Sequence, residues 1–210
     1  MLVRRDNFAE QFDVSRETIE RLNEYQALLE KWNPKINLVS RTTLDQVWHR
    51  HFADSAQLIR HTPKNAARWL DFGSGAGFPG LLCAAIAHEL QPELAFTLVE
   101  SDHRKCAFLL SAAEKMGLKV QIRPERIEDM HPHNADIISA RAVAPLDQLL
   151  SLSAKHTHKA TVLLFPKGIN YESELTAARH HWHIDMTVIQ SLIDSNSVIL
   201  RIEEFERADP

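Results

Sequence analysis

The sequence predicts an α/β fold: a mostly parallel, nucleotide-type sheet, closed by a C-terminal antiparallel hairpin and preceded by an N-terminal helical cap. Three observations carry that expectation. Four of the chain's six glycines, Gly73, Gly75, Gly77 and Gly80, fall within residues 68–80. They lie between a short apolar run (Trp69, Leu70, Phe72) and an alanine-rich apolar stretch over 81–90, the strand–turn–helix opening of a βαβ unit. Downstream, short apolar strand patterns alternate with helical ones, and two final strand patterns are joined by Asp194-Ser195-Asn196, a hairpin turn.

The glycine spacing narrows the ligand. A dinucleotide loop places its third glycine five positions after the first, and here that position is Phe78. No Gly-Lys-Ser/Thr is present, which argues against a nucleoside triphosphate loop. The pattern Asp71-x-Gly73-x-Gly75-x-Gly77 resembles instead the first motif of the Rossmann-like, S-adenosylmethionine (SAM) dependent methyltransferases. Such a loop lets backbone approach the methionine part of SAM and leaves Asp71 near its ammonium. An ordinary glycine turn without a ligand is the competing reading. Pro79 suits the first turn of the following helix, where a missing N–H is no loss.

The remaining elements follow in order. Residues 15–32 have helical periodicity (Leu22, Tyr25, Leu28, Leu29, Trp32), with Ser15 as N-cap and Asn33-Pro34 as stop. A second helix is expected over 43–60, with His51 on its apolar stripe as a hydrogen-bonded core histidine. These helices form a cap over residues 1–64, and residues 65–210 form the catalytic domain. Strand 94–99 ends in Glu100, where the nucleotide fold places an acid for ribose hydroxyls. A carboxylate suits that place because it accepts from both hydroxyls. Helix 102–116 ends at Gly117, with Arg104 and Lys105 in its first turn, against the helix dipole. They are either functional or simply solvated.

Strand 120–123 leads to a loop that, in a SAM-binding fold, edges the adenine pocket; there Ile127 would pack on the ring and the Glu128 region would bond its amino group. Strand 136–139 runs into Arg141. Ligands in open α/β sheets bind at the carboxyl ends of strands, which places Arg141 beside the transferring methyl group or the substrate. A structural pairing of Arg141 with Glu128 is the alternative. Helix 146–156, strand 161–165, helix 171–181 and strands 187–193 and 197–204 complete the chain.

Bulk properties bound the class. The 210 residues are 44% hydrophobic and 25% charged, with net charge −4. That composition is ordinary for a globular protein, and the charge argues against indiscriminate nucleic-acid binding. No run approaches the ~20 apolar residues of a membrane span, and Met-Leu-Val-Arg-Arg-Asp lacks the apolar core of a signal peptide. A cytoplasmic protein without a membrane partner is expected. Cys83 and Cys106 fall among apolar helical residues and read as buried thiols. The twelve histidines, including His49/His51, His131/His133, His156/His158 and His180/His181/His183, have no recognised zinc spacing. No metal is expected.

Taken together, the residues resemble one family. Trp-Asn-x-x-Ile-Asn-Leu at 32–38, His-x-x-Asp-Ser at 51–55 and Asp-Phe-Gly-Ser-Gly-Ala-Gly-Phe-Pro-Gly at 71–80 begin the match. Val-Glu-Ser at 99–101, Arg-Ile-Glu-Asp at 126–129, Ser-Ala-Arg-Ala-Val-Ala-Pro-Leu at 139–146 and Phe-Pro-Lys-Gly at 165–168 extend it. The chain from about Lys31 onward is similar to the RsmG family (glucose-inhibited division protein B), bacterial 16S rRNA guanine-N7 methyltransferases. The resemblance implies a class I SAM-dependent methyltransferase fold, SAM as co-substrate, and 16S rRNA of the small ribosomal subunit as partner. The target is then a guanine near the decoding region, and the enzyme a monomer. It also implies that Gly73, Phe78, Ile127, Glu128 and Arg141 contact SAM, and that His51, Asp54 and Lys167 belong to the substrate-side surface. Gly75 and Glu100 complete the expected SAM site, and Arg141 is the expected catalytic residue. Lys31, Lys35, Arg41, Arg104, Lys105 and Lys167 are candidate phosphate contacts. A methyltransferase acting on a non-RNA substrate and a non-catalytic SAM-binding scaffold are the alternatives.

Overall fold

The structure, a computed structural model, describes residues 2–208. Met1 and residues 209–210, the ends of the two expected units, lie outside the described residues. Seven strands form one sheet in the order β3-β2-β1-β4-β5-β7-β6. They are β1 (Arg68–Phe72), β2 (Ala95–Val99), β3 (Val120–Arg123), β4 (Ile137–Ser139), β5 (Val162–Lys167), β6 (Trp182–Gln190) and β7 (Val198–Arg207). The first five are parallel, and β7 pairs antiparallel with both β5 and β6. Strand order reverses between β1 and β4, so a crevice opens at their carboxyl ends.

The helices are α1 (Arg5–Phe12), α2 (Arg16–Ile36), α3 (Arg41–Leu44), α4 (Asp54–Ala56), α5 (Gly80–Leu90), α6 (His103–Lys115), α7 (Leu146–Ser153) and α8 (Tyr171–Ala178). One face of the sheet carries α5 and α6, and the N-terminal helices pack over them. Phe8, Leu22, Tyr25, Phe52, Leu81 and Phe108 share a single apolar cluster there. The other face carries α7 and α8 over Leu70, Ile138, Leu150 and Leu163. The cap therefore shares its core with the sheet domain. Tyr25 shows the seam: it is fully buried, lies near Phe52, Phe78 and Phe108, and its hydroxyl donates to the Ala76 carbonyl in the glycine loop.

Several boundaries differ from the sequence expectation. Helix α1 was not expected; it buries Phe8 and Phe12, one turn apart on one face. Helix α2 runs through Pro34 to Ile36. A proline removes one helical hydrogen bond, and here the helix needs only one more turn. Asn37 closes it in the left-handed region at φ 49, its N–H on the Asn33 carbonyl at 3.0 Å. The Asn33 side chain then accepts from the Val39 N–H at 2.8 Å, fixing the exit loop. The single helix expected over 43–60 is instead α3, a π-helical turn at Trp48–Ala53, α4, and a 3-10 turn at Gln57–His61. Its apolar stripe still faces inward, with Val47, Trp48, Phe52, Ala56 and Leu58 buried. Pro79 sits at the N-cap of α5, after a cis Phe78–Pro79 peptide. Strand β6 starts at Trp182, five residues before the expected 187, because α8 already ends at Ala178. Ser15 caps α2 as expected, accepting from the Thr18 N–H at 3.3 Å. Cys83 and Cys106 are buried free thiols.

The Tyr25–Ala76 bond ties cap to loop, and removing it strands a buried carbonyl. Tyr25→Phe should lower unfolding stability by about 1–3 kcal/mol, read from urea midpoints at constant m. A change below about 0.3 kcal/mol would show that the bond contributes nothing net.

Candidate active site

The loop after β1 folds on glycine because its backbone enters the left-handed region, at φ +64 for Gly73 and +55 for Gly75. Gly73 is doubly constrained: a Cβ there would run into the Val143 side chain, with Cγ1 at 3.2 Å. Gly80, at the start of α5, leaves room for Asp71, whose Cβ would lie 2.5 Å from an added methyl.

Asp71 is not in the crevice, where the sequence reading put it near an ammonium. It is fully buried beneath the loop. Its Oδ1 accepts from the Ser139 hydroxyl at 2.6 Å, and Ser139 in turn accepts from the Trp69 indole N–H at 2.8 Å. This chain staples β1 to β4 at the switch point. Burial pushes the Asp71 carboxyl up to about 6, against the pull of the Ser139 hydrogen bond.

Two cavities lie along the crevice. The first, about 210 Å³, is lined by Gly73, Glu100, Ile127, Glu128, Val143 and Gln148, among others. Glu100 is 7% exposed. Its Oε2 accepts from the Gly75 N–H at 2.9 Å and its Oε1 from the Asp102 N–H at 2.8 Å. Two backbone donors thus orient the carboxylate, and a carboxylate has lone pairs left for two more. The Ile127 loop is held from α7's exit. The buried His156 sets its Nε2 3.3 Å from the Ile127 carbonyl, an acceptor, so that nitrogen carries the proton. Lys155 donates to the Glu128 carbonyl. Gly75, half-buried, is tied to this cavity through its N–H on Glu100.

The second cavity, about 460 Å³, is lined by Asp54, Arg141, Val143, Ala144, Lys167 and Glu174, with neighbouring loop residues. Val143 and Ala144 line both cavities. Arg141 is held tightly. Its Nη1 donates to Asp54 Oδ2 at 3.0 Å and its Nη2 to His51 Nδ1 at 3.1 Å, and the guanidinium carbon sits 5.1 Å from the Phe78 ring centroid. Arginine can only donate, so His51 Nδ1 is bare and Nε2–H donates to Thr43 Oγ1 at 2.9 Å. Burial and the Arg141 and Arg50 charges push His51 down to about 3, so it stays neutral. His51 lies in the π-helical turn and Asp54 directly after it; such turns recur at functional sites.

The structure thus gathers Gly73, Glu100, Ile127, Glu128 and Arg141 along one crevice, and it corrects three details. Arg141 pairs with Asp54 and His51, not with Glu128. The Phe78 ring lines neither cavity; it is buried, stacks on His51 with centroids 5.1 Å apart, and supports Arg141 from below. Lys167 is turned inward, its side chain 9% exposed, bonded to Glu174 at 2.7 Å and to the Ala144 carbonyl at 3.0 Å. Arg104 folds back on Asp102 at 2.9 Å, which offsets its unfavourable first-turn charge. Lys31, Lys35 and Arg41 are exposed. Glu174 and Val143 were not read from the sequence; nothing in their spacing marks them. Among the described residues no group of three or more His, Cys, Asp or Glu is placed to hold a metal, and no helix is long and apolar enough to cross a membrane.

Parallel order with a reversed hairpin, the glycine loop after β1 and the acid after β2 define a class I SAM-dependent methyltransferase fold. Solved structures share it. A ribosomal protein L11 methylase from Lactobacillus delbrueckii subsp. bulgaricus aligns with TM-score 0.57 at 15% identity, over 74% of this chain and 77% of that one. The mitomycin 7-O-methyltransferase MmcR aligns with TM-score 0.59 at 15% identity, over 99% and 73%. Within that class, residues 18–199 match the family described as rRNA small subunit methyltransferase G. Relatives carrying the name ribosomal RNA small subunit methyltransferase G include a Cereibacter sphaeroides protein, 47% identical over 92% of this chain and 94% of its own length. Another, from Jannaschia sp., is 50% identical over 90% and 89%. The chain belongs to this family.

The Asp71 carboxyl gives a pH signature. Its folded value, about 6, stands above the ordinary 3.8, so the folded state binds this proton more tightly than the unfolded chain. Its stabilising contribution is complete below pH ~4 and is lost as pH rises through about 6. Carbon-detected NMR of Asp71 should show a midpoint near 6, and Ser139→Ala should raise it further. An Asp71 midpoint at or below the ordinary carboxylate range would contradict the buried geometry.

Proposed function

We propose that this chain transfers a methyl group from SAM to N7 of a guanine in 16S rRNA near the decoding region, within the small ribosomal subunit or an assembly intermediate. The enzyme works as a cytoplasmic monomer, with the cap (1–64) and the SAM-binding domain (65–210) as one compact unit. The observation that carries the proposal is the meeting of two cavities at Val143. One has the carboxylate and apolar wall that suit a nucleoside; the other holds an oriented cation.

The donor cavity fits SAM chemically. Glu100, already oriented by two backbone N–H groups, accepts from the ribose hydroxyls. Ile127 packs on the adenine ring and Glu128 takes its amino group. Gly73 and Gly75 let backbone approach the methionine part. Phe78 acts through its ring, which supports Arg141. Arg141 holds the SAM carboxylate or an rRNA phosphate at the boundary of the two cavities.

Bound SAM supplies an activated methyl group on a sulfonium, already a good leaving group. Guanine N7 carries a free lone pair, so the chain need not remove a proton. The protein's work is placement: Arg141, Val143 and the glycine loop hold the partners in line. Such alignment contributes about 7–11 kcal/mol in favourable cases. The methylated ring is cationic, and pairing Arg141 with Asp54 keeps its charge compensated beside it. A base inside a helix reaches the cavity only by leaving its stack. The exposed Lys31, Lys35 and Arg41 are phosphate contacts outside the crevice. With a net charge of −4, the chain depends on a folded ribonucleoprotein surface, not on charge alone.

The test is tritiated SAM with small subunits from a strain lacking the gene, followed by borohydride–aniline cleavage at 7-methylguanine. Label should enter 16S rRNA at one cleavable guanine. Label in protein, in another rRNA or nowhere would sink the proposal. Arg141→Ala should keep the fold and cut turnover by about 100-fold or more; wild-type turnover at limiting SAM and limiting subunits would remove Arg141 from the site.

A further inference from the structure

The second cavity contains an ion pair that the proposed chemistry does not use. Lys167 and Glu174 approach within 2.7 Å, with side chains 9% and 28% exposed. Lys167 also donates to the Ala144 carbonyl at 3.0 Å, and Glu174 Oε2 accepts from the Leu146 N–H at 2.9 Å. Helix α7 begins at Leu146 after Pro145, which offers no capping side chain. Glu174, from α8, therefore supplies the acceptor that the helix N-terminus lacks. One ion pair holds the carbonyl before Pro145 and the amide after it.

Upstream, Arg141 is anchored by Asp54 and His51. Between these two anchors lie Ala142, at φ +56, and Val143, whose methyl groups fill the space that a side chain at Gly73 would take. An alanine in the left-handed region persists only where the surroundings over-determine it. The surroundings here are the two anchors. Loss of the downstream one lets Ala142 relax and Val143 leave Gly73, where the two cavities meet.

We propose that Glu174, acting with Lys167, is a positioning residue for methyl transfer: the pair clamps residues 144–146 so that Val143 shapes the passage between donor and acceptor cavities. This rests on the methyltransferase reading above. It also reassigns Lys167, which resemblance places on the substrate-side surface. A cation committed to Glu174 and a backbone carbonyl would have to abandon both to bind phosphate.

The test compares wild type with Glu174→Ala, Glu174→Gln and Lys167→Met. Two quantities are read: hydrogen exchange at the Leu146 amide in the free protein, and kcat and KM for small subunits at saturating SAM. Glu174→Ala should speed exchange at this amide by about tenfold or more. It should also lower kcat by up to about 100-fold, the scale of a 1 Å misplacement, with KM for subunits unchanged. Glu174→Gln still accepts the Leu146 N–H and should recover much of kcat. Lys167→Met should resemble Glu174→Ala. If Glu174→Ala does not fold, Lys167→Met gives the same reading, with Glu174→Gln as its near-wild-type control. Unchanged exchange overturns the clamp. A loss confined to KM, steeper with salt and seen only in Lys167→Met, overturns it in favour of a phosphate contact. A wild-type protein inactive on rRNA counts against the rRNA reading, and the exchange measurement still decides the clamp.

Discussion

The pairing of Arg141 with Asp54 joins the two parts of the molecule. Asp54 lies in the N-terminal helices and Arg141 at the exit of β4, and both are largely withdrawn from water, at 19% and 17% side-chain exposure. A cation so placed is costly unless its donors are satisfied. Asp54 and His51 take two of them, and the Phe78 face supports the plane from below. His51 remains a neutral acceptor because burial, and after it the Arg141 charge, suppresses its protonation. His51 lies in the π-helical turn and Asp54 directly after it, and the two side chains meet one guanidinium.

A second consequence concerns the loop from 141 to 146. It separates the cavity beside Glu100 from the cavity beside Lys167, and it is pinned at both ends by ion pairs whose other members come from distant elements. Its middle is strained at Ala142 and sets Val143 in the space that a side chain at Gly73 would fill. The requirement for glycine at 73 is therefore partly internal, since a side chain would displace Val143 before it met any ligand. Asp71 has a similar internal role. It serves the loop from below, through Ser139 and the start of α5, and does not face the crevice.

The sheet, the glycine loop and the hairpin were legible in the sequence because each has a local signature: short apolar runs, clustered glycines and a polar turn. The acid at Glu100 was legible because a strand end fixes its position relative to the loop. Other features depend on partners far away in the chain. Arg141 was placed at the crevice, but its partner Asp54 lies 87 residues away, and the closer-seeming Glu128 proved to be on the other side of Val143. Phe78 was assigned to the ligand from its place in the motif, yet its ring turns into the aromatic cluster that Tyr25 and Phe52 build from the cap. Lys167 looked like a free cation until α8 brought Glu174 beside it. Pro34 looked like a helix stop, because the benefit of packing Trp32 and Ile36 against the core does not appear in local propensity.

The central claim is that the crevice from Glu100 to Val143 is the SAM seat. The most direct measurement is a crystal structure of the protein soaked with S-adenosylhomocysteine, the demethylated product. The account predicts density for the ribose at Glu100, for adenine against Ile127, and for sulfur over Gly73 facing Val143. Density elsewhere, or none at saturating ligand, would contradict it.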